Sequence, residues 1–151
     1  MVPNDDMLIL IVDDNANNLK VLGSILSLHK YKIALATNGD ECLTLMTKQI
    51  PDLIFLDIMM PGINGFEVCQ TIKSNKSTAH VPVIFVSALS SPNQVSKAFE
   101  SGGVDYITKP FNKDEILARA KVHLQIKKER DALLEKIESL ESKNHPLTNQ
   151  K

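Results

Sequence analysis

Short apolar runs alternate along this chain with segments whose apolar residues recur at helical spacing, and no other feature limits the fold as strongly. Residues 7–12 are apolar throughout and are followed by Asp13 and Asp14, which is typical of a strand buried on both faces. Four more strand candidates, each followed by a helical pattern, lie at residues 31–36, 53–56, 81–86 and 104–107. This order predicts right-handed crossovers and an α/β fold, a three-layer sandwich around a five-stranded parallel sheet.

Composition narrows the classes of partner and location. The 151 residues suit one domain with about thirty residues left over. The formal net charge of -1 provides no broad positive field, so we expect no direct contact with nucleic acid. No apolar run approaches the ~20 residues of a membrane span, and the first six residues lack a signal-peptide core. We therefore expect no membrane partner. Cys42 and Cys69 have no companion ligand at metal-site spacing, so we expect packed, reduced thiols, which are typical of a cytoplasmic location.

Polar residues stand at the ends of the predicted strands. Asp13 and Asp14 follow the first strand, Asp57 follows the third, Ser87 follows the fourth and Lys109 follows the fifth. In a parallel α/β sheet these ends share one edge, where functional sites form. Three carboxylates in one shallow pocket repel each other unless a cation lies among them, and a set of oxygen ligands favours Mg2+ over Zn2+.

Each of these residues also has an ordinary structural interpretation. Asp13 and Asp14 fit turn formers or helix caps, Ser87 fits a cap of the following helix, and Lys109 fits a solvated surface charge. Their coincidence at four strand ends is what indicates a site for metal-dependent phosphate chemistry.

Three motifs contain these residues: ILIVDDN at residues 9–15, DIMMPGING at residues 57–65 and DYITKPF at residues 105–111. They closely resemble receiver domains of two-component response regulators, over about residues 5–123, with all five signature positions in order. The resemblance implies a flavodoxin-like sheet of order 2-1-3-4-5. It also implies a phosphoacceptor switch and not a turnover enzyme, limited to Mg2+-dependent self-phosphorylation from phosphodonors and to self-dephosphorylation.

The resemblance assigns roles to individual residues. By this resemblance, Asp57 is the phosphoacceptor, and Lys109 and Ser87 assist the transfer. Ser87 and Tyr106 form the switch, and Pro110 follows a cis peptide bond. The ligands of Mg2+ are Asp13, which acts mainly through bound water, Asp14, Asp57 and the backbone carbonyl of Met59. The chemistry agrees, because a carboxylate attacks an anionic phosphoryl group only when charge is neutralised and the oxygens are aligned.

The resemblance also implies the partners of a phosphorelay. The donor is a histidine kinase or a histidine phosphotransfer protein, and the signal passes to an output domain or effector through the face of helix 4, strand 5 and helix 5. Met59 and Leu89 lie two residues beyond Asp57 and Ser87, where family members tune the entry of hydrolytic water. Both are apolar here, which predicts slow self-dephosphorylation.

A helical pattern without Gly or Pro runs from residue 112 to residue 144, before Pro146. Ile126, Leu133 and Leu140 share one seam position of a heptad, and Arg130, Ile137 and Asn144 share the other. Because two of these six are polar, the pattern falls short of a strong coiled-coil signal, and two interpretations stay open: a parallel homodimer and a signalling helix that leads to an output domain. The expected divisions are a receiver domain at 5–123, a helical extension or coiled-coil linker at 124–145, and a disordered tail at 146–151.

Three other functions compete with this interpretation. A phosphatase of the haloacid dehalogenase kind would carry its nucleophile after the first strand in a D-x-D arrangement, whereas Asp13 and Asp14 are adjacent. A flavodoxin-like cofactor binder would need a phosphate loop after that strand, where the two aspartates repel phosphate. A receiver-shaped module without phosphotransfer usually lacks a signature residue, and none is missing here.

Overall fold

The computed structural model describes residues 6–144, in which five strands alternate with five helices. The sheet is parallel throughout and has the order β2-β1-β3-β4-β5, so the predicted α/β fold and the sheet order are confirmed. The elements are β1 Leu8–Val12, α1 Ala16–Ser27, β2 Lys32–Ala36, α2 Gly39–Lys48, β3 Leu53–Leu56, α3 Gly65–Ser74, β4 Val83–Ser87, α4 Pro92–Glu100, β5 Asp105–Thr108 and α5 Lys113–Asn144.

The central strands are buried on both faces, which explains why their sequences are apolar without alternation. In β1, Leu10 and Val12 pack into a cluster with residues of α2 and α3, while Ile9 and Ile11 pack into a second cluster with residues of α1 and α5. The two clusters are the two cores of the three-layer sandwich. The sheet is packed between these two cores, which fixes the positions of the polar side chains at its carboxyl edge.

Helix starts at this edge are fixed by side-chain caps. The side chains of Asn15, Asn38, Asn64 and Ser91 each accept a hydrogen bond from a backbone N–H in the first turn of the helix that follows. Two strands lie slightly later in the chain than predicted. β4 begins and ends after the bounds predicted at residues 81–86, and β5 begins and ends after those predicted at residues 104–107. Pro82 has no N–H to donate to a neighbouring strand, so apolar composition extends beyond the hydrogen-bonded strand.

The last helix, α5, continues without a break across the expected division between residues 123 and 124. Its first turns pack on the sheet through the buried residues Ile116, Ala120 and Leu124. Lys127 then pairs with Asp52 at 3.5 Å, which holds the next turn against the domain. The tail predicted to be disordered, residues 146–151, lies outside the described residues, as does residue 145. Within residues 6–144, no helix combines the length and apolarity that crossing a bilayer requires.

Candidate functional site

Three carboxylates converge at the carboxyl edge of the sheet. Asp13 and Asp14 follow β1, and Asp57 follows the paired neighbour β3. Ligand oxygens of the three residues lie within 4.8 Å of one another. Asp13 and Asp57 are buried, whereas Asp14 is exposed, so the cluster has a closed inner side and an outer side open to solvent.

Backbone contacts fix the two buried carboxylates. The Asp57 N–H donates to the Val12 carbonyl at 2.9 Å, and Asp57 Oδ1 accepts from the Ile58 N–H at 2.8 Å. Asp13 Oδ1 accepts from the Asn15 N–H at 2.9 Å, while its Oδ2 accepts from Asn18 Nδ2 at 3.2 Å. The two side chains are therefore oriented before any ligand arrives, which lowers the cost of assembling a binding site.

Lys109 joins the two buried acids. Its Nζ donates to Asp13 Oδ2 at 2.9 Å and to Asp57 Oδ2 at 3.4 Å. Its backbone N–H donates to the Ser87 carbonyl, and the peptide bond from Lys109 to Pro110 is cis. Burial disfavours the ammonium form, yet the hydrogen bond to Asp13 and the negative charge of Asp57 raise the pKa of Lys109, which stays protonated at neutral pH.

The Asp57 carboxyl has a raised pKa. Burial is the main cause, and the neighbouring Asp13 charge adds to it, while Lys109 and the Ile58 N–H oppose the shift. Three carboxylates meet the single ammonium group of Lys109 here, so the negative charge exceeds the positive charge of that pairing. Such an excess is what a bound cation would relieve.

The donor set fits a hard divalent cation. Asp13, Asp14 and Asp57 offer only carboxylate oxygens, which suit Mg2+ and not Zn2+. The exposure of Asp14 leaves one side open to solvent, and Mg2+ commonly keeps several waters in its coordination shell. Met59 lies in the loop directly after Asp57 and Ile58, with its side chain 64% exposed.

Ser87 and Tyr106 both contact the loop that follows β4. The Ser87 hydroxyl is fully buried and accepts a hydrogen bond from the Leu89 N–H at 3.2 Å. The Tyr106 hydroxyl donates to the Leu89 carbonyl, and its half-buried ring stacks on Phe85 with centroids 6.4 Å apart. A change at Ser87 would therefore reach Tyr106 through Leu89.

Sequence reasoning missed the supports of the acceptor loop. Asn64 and Glu67 form a capping box at the start of α3, which the N-x-x-E spacing could have revealed. Gly65 lies so close to the acceptor that a Cβ there would stand 2.3 Å from the Asp57 carbonyl oxygen. Asn18, which holds Asp13, has no motif signal, because its role depends on the rotation of α1 above β1.

Comparison with known proteins identifies the family. The family model described as "Response regulator receiver domain" matches residues 9–121. A Vibrio cholerae protein named "Probable cyclic di-GMP phosphodiesterase" is 39% identical over 134 residues, which cover 89% of this chain and 30% of that protein. The response regulator PleD of Caulobacter vibrioides is 36% identical over 113 residues, covering 75% of this chain and 25% of PleD.

A solved structure gives the same result. The BeF3-activated DrrB receiver domain is 34% identical to this chain and superposes with a TM-score of 0.72. The match covers 79% of this chain and 97% of the DrrB domain. The chain spans less than a third of the length of the two curated relatives. With the family model, these similarities show that the chain belongs to the response regulator receiver domain family of two-component signalling.

Proposed function

We propose that this chain is the phosphoacceptor switch of a cytoplasmic two-component phosphorelay, with Asp57 as the acceptor. The observation that carries the proposal is the convergence of Asp13, Asp14 and Asp57, with the Lys109 ammonium group paired to the first and the last of them. A partly buried acid cluster of this kind is costly for a domain that only needs to fold, whereas it suits the transfer of an anionic group. The donor is a histidine kinase or a histidine phosphotransfer protein.

In the proposed transfer, a carboxylate oxygen of Asp57 forms a bond to phosphorus while the bond from phosphorus to the donor's histidine nitrogen breaks. The bonding electron pair stays on that nitrogen, so the reaction needs no other reactant. Asp13, Asp14, Asp57 and the Met59 carbonyl would hold Mg2+, which supplies positive charge to the phosphoryl oxygens. Lys109 supplies a second positive charge, and the contacts to Val12 and Ile58 hold the nucleophile in place.

Ser87 and Tyr106 are the proposed switch. Once Asp57 carries a phosphoryl group, the Ser87 hydroxyl can donate to one of its oxygens, and a movement of the side chain toward that oxygen would break its present contact with the Leu89 N–H. Release of that loop alters the carbonyl to which Tyr106 donates. The phosphoryl group thus favours one of two arrangements in which the ring of Tyr106 packs differently.

The proposed output surface comprises α4, β5 and α5. Lys97 on α4, Asp105 on β5 and Arg119 on α5 place charges there, and Asp105 pairs with Arg119 at 3.0 Å. We propose the divisions 5–123 for the receiver domain and 124–145 for a helical extension that passes the signal to an output domain or effector. The extension would also carry a homodimer contact, without direct binding of nucleic acid.

Incubation with Mg2+ and a small-molecule phosphodonor, followed by intact mass measurement, tests the acceptor. We expect a mass increase of about 80 Da that depends on Mg2+. Asp57→Asn should abolish it, while Asp40→Asn, a change at an exposed carboxylate in α2, should leave it intact. A folded wild-type chain that takes up no phosphoryl group would favour a receiver-shaped interaction module and would overturn the proposal.

A further inference from the structure

A small cavity lies at the opposite edge of the sheet from Asp57. It has a volume of about 90 Å3 and is bordered by Pro82, just before β4, and Val104, just before β5. It therefore lies at the amino ends of these strands, whereas the acceptor site lies at the carboxyl ends of β1 and β3. The volume admits about three water molecules or one small polyatomic ion.

Five of the cavity's lining residues are basic. Lys73 comes from the last turn of α3, His80 from the loop between α3 and β4, and His123, Lys127 and Arg130 from α5. The three α5 residues recur at i, i+4 and i+7, so they share one face of that helix. The chain thus brings basic groups from three separate segments to one small space.

Two of these residues already have acidic partners. Lys127 pairs with Asp131 at 2.7 Å and with Asp52 at 3.5 Å, and His123 contacts Asp105 at 2.9 Å.

The other three basic residues, within residues 6–144, have no carboxylate in ion-pair contact. Lys73 Nζ donates only to backbone carbonyls, those of Ala79 and Val81, which carry no net charge. His80 and Arg130 lack even such an acceptor in this part of the chain.

Electrostatic interactions link the basic groups of this cavity, including Lys73 with Arg130. Burial lowers the pKa of Lys73, Cys69 opposes this shift, and Arg130 lowers the pKa further. Burial also lowers the pKa of His80 and Lys127 adds to the shift, while Asp131 opposes it and Arg130 and Lys73 make smaller contributions that lower the pKa further. Cations held near each other with too few counter-charges attract an anion.

We propose that this cavity binds the phosphate group of a small anionic ligand. Lys73 has three N–H donors and uses two of them on carbonyls, which leaves one for a ligand oxygen. The Arg130 guanidinium offers a planar fork that matches two oxygens of one phosphate, and a ring nitrogen of His80 can serve a third. The donors thus suit a tetrahedral oxyanion better than a planar carboxylate.

Occupancy would join the helical extension to the domain. Lys73 and His80 belong to the domain body, whereas Arg130 lies beyond the turns of α5 that pack through Leu124. A ligand bonded to both sides binds only when this part of α5 lies against the body, so it stabilises that arrangement. The site is independent of the acceptor chemistry, because it shares no residue with the carboxylate cluster.

Nuclear magnetic resonance titration of the 15N-labelled full chain, without Mg2+, tests the site. The probes are inorganic phosphate and glycerol phosphate, with sodium chloride at matched ionic strength as the reference. We expect saturable chemical-shift changes at Lys73, His80 and Arg130. Arg130→Gln and His80→Ala should each weaken binding about tenfold, because the first removes a positive charge and the second removes a polar donor to the anion.

Lys121→Gln is the matched control, since it removes one exposed positive charge from α5 outside the cavity and should change the affinity less than about twofold. Tighter binding of glycerol phosphate would identify a phosphate monoester as the ligand, and equal or tighter binding of inorganic phosphate would identify the free ion. Shifts that do not saturate, or that Lys121→Gln weakens as much as Arg130→Gln does, would overturn the proposal.

Discussion

At the scale of single residues, Asp57 is a buried carboxyl group whose negative charge costs the fold stability. Its raised pKa means that the folded chain holds a proton there more tightly than the unfolded chain does. Below the pKa of Asp57 in the unfolded chain, the carboxyl is protonated in both the folded and the unfolded state, and it does not reduce the free energy of unfolding. As the pH rises through the pKa of the folded chain, Asp57 ionises in both states and the free energy of unfolding falls. At neutral pH the ionised Asp57 therefore destabilises the fold.

Asp57→Asn should thus stabilise the chain in the absence of Mg2+. We expect a gain of about 1 kcal/mol in the free energy of unfolding at pH 7, because the substitution removes a buried charge from the side of Asp13. Thermal unfolding in a chelator, compared at pH 7 and at pH 3.5, measures it, and the gain should shrink at the lower pH. A neutral or destabilising effect at pH 7, with Asp40→Asn as the exposed control, would contradict this account.

Lys109 occupies the space between carboxylates that a cation would also use. Lys109→Met should raise the affinity for Mg2+ about tenfold, because it removes a positive charge 2.9 Å from Asp13 and 3.4 Å from Asp57. The same variant should accept phosphate more slowly, since it lacks that charge during transfer. Isothermal titration with Mg2+ provides the test, and an unchanged affinity, equal to that of the exposed control Lys113→Met, would refute it.

Met59 and Leu89 bear on the lifetime of the phosphorylated form. Both are apolar, and Leu89 is half-buried beside Ser87 and Tyr106, so neither side chain can hydrogen-bond an attacking water. We expect self-dephosphorylation over minutes to hours in purified protein with Mg2+, measured as the decay of the phosphorylated mass. Met59→Glu should shorten the lifetime by supplying an acceptor for that water. A wild-type lifetime of seconds would show that other groups admit the water.

At the scale of elements, the loop between β3 and α3 depends on one glycine. A Cβ at Gly65 would stand 2.3 Å from the Asp57 carbonyl oxygen and 2.8 Å from the Ile58 Cα, and both atoms belong to the backbone. Gly65→Ala should therefore displace the acceptor loop, destabilise the fold by about 2 kcal/mol and slow phosphorylation. Denaturant unfolding and the rate of mass increase measure the two effects.

Gly62→Ala separates this steric effect from ordinary backbone strain. Gly62 has a φ of 80°, where a side chain costs about 1 kcal/mol, but nothing lies within 4 Å of the added Cβ. Its phosphorylation rate should stay near that of the wild type. Equal rates for Gly65→Ala and Gly62→Ala would mean that close packing at Gly65 does not position Asp57.

Local patterns predicted the elements well where local forces decide them. The apolar runs of β1 and β3 indicated buried strands because both faces of each are covered. Composition could not place the start of β4, since backbone hydrogen bonding on both sides decides where a strand begins, and Pro82 accepts from the Ile54 N–H but has no N–H to donate. The cavity lined by Lys73, His80 and Arg130 left no signal either, because only the packing of α5 brings these distant residues together.

At the scale of the whole molecule, the second half of α5 leaves an apolar stripe uncovered. Ile126, Leu133 and Leu140 are 54%, 59% and 52% exposed, and they recur every seven residues. In a parallel pair of such helices, Lys136 and Glu141 would occupy flanking positions that face each other with opposite charge. Burying this stripe in an interface would favour association, since each leucine contributes about 2 kcal/mol of free energy when it is fully buried.

Leu133→Lys tests the dimer at the centre of the stripe. We expect the wild-type chain at tens of micromolar to approach twice the monomer mass of 16.7 kDa in light scattering, and the variant to return to the monomer mass. A lysine there would be desolvated opposite its own copy, which opposes association. Ser139→Lys places the same charge on the outward side of the helix and should leave the dimer intact. A wild-type monomer, with and without a phosphoryl mimic, would instead mean that the stripe serves another partner.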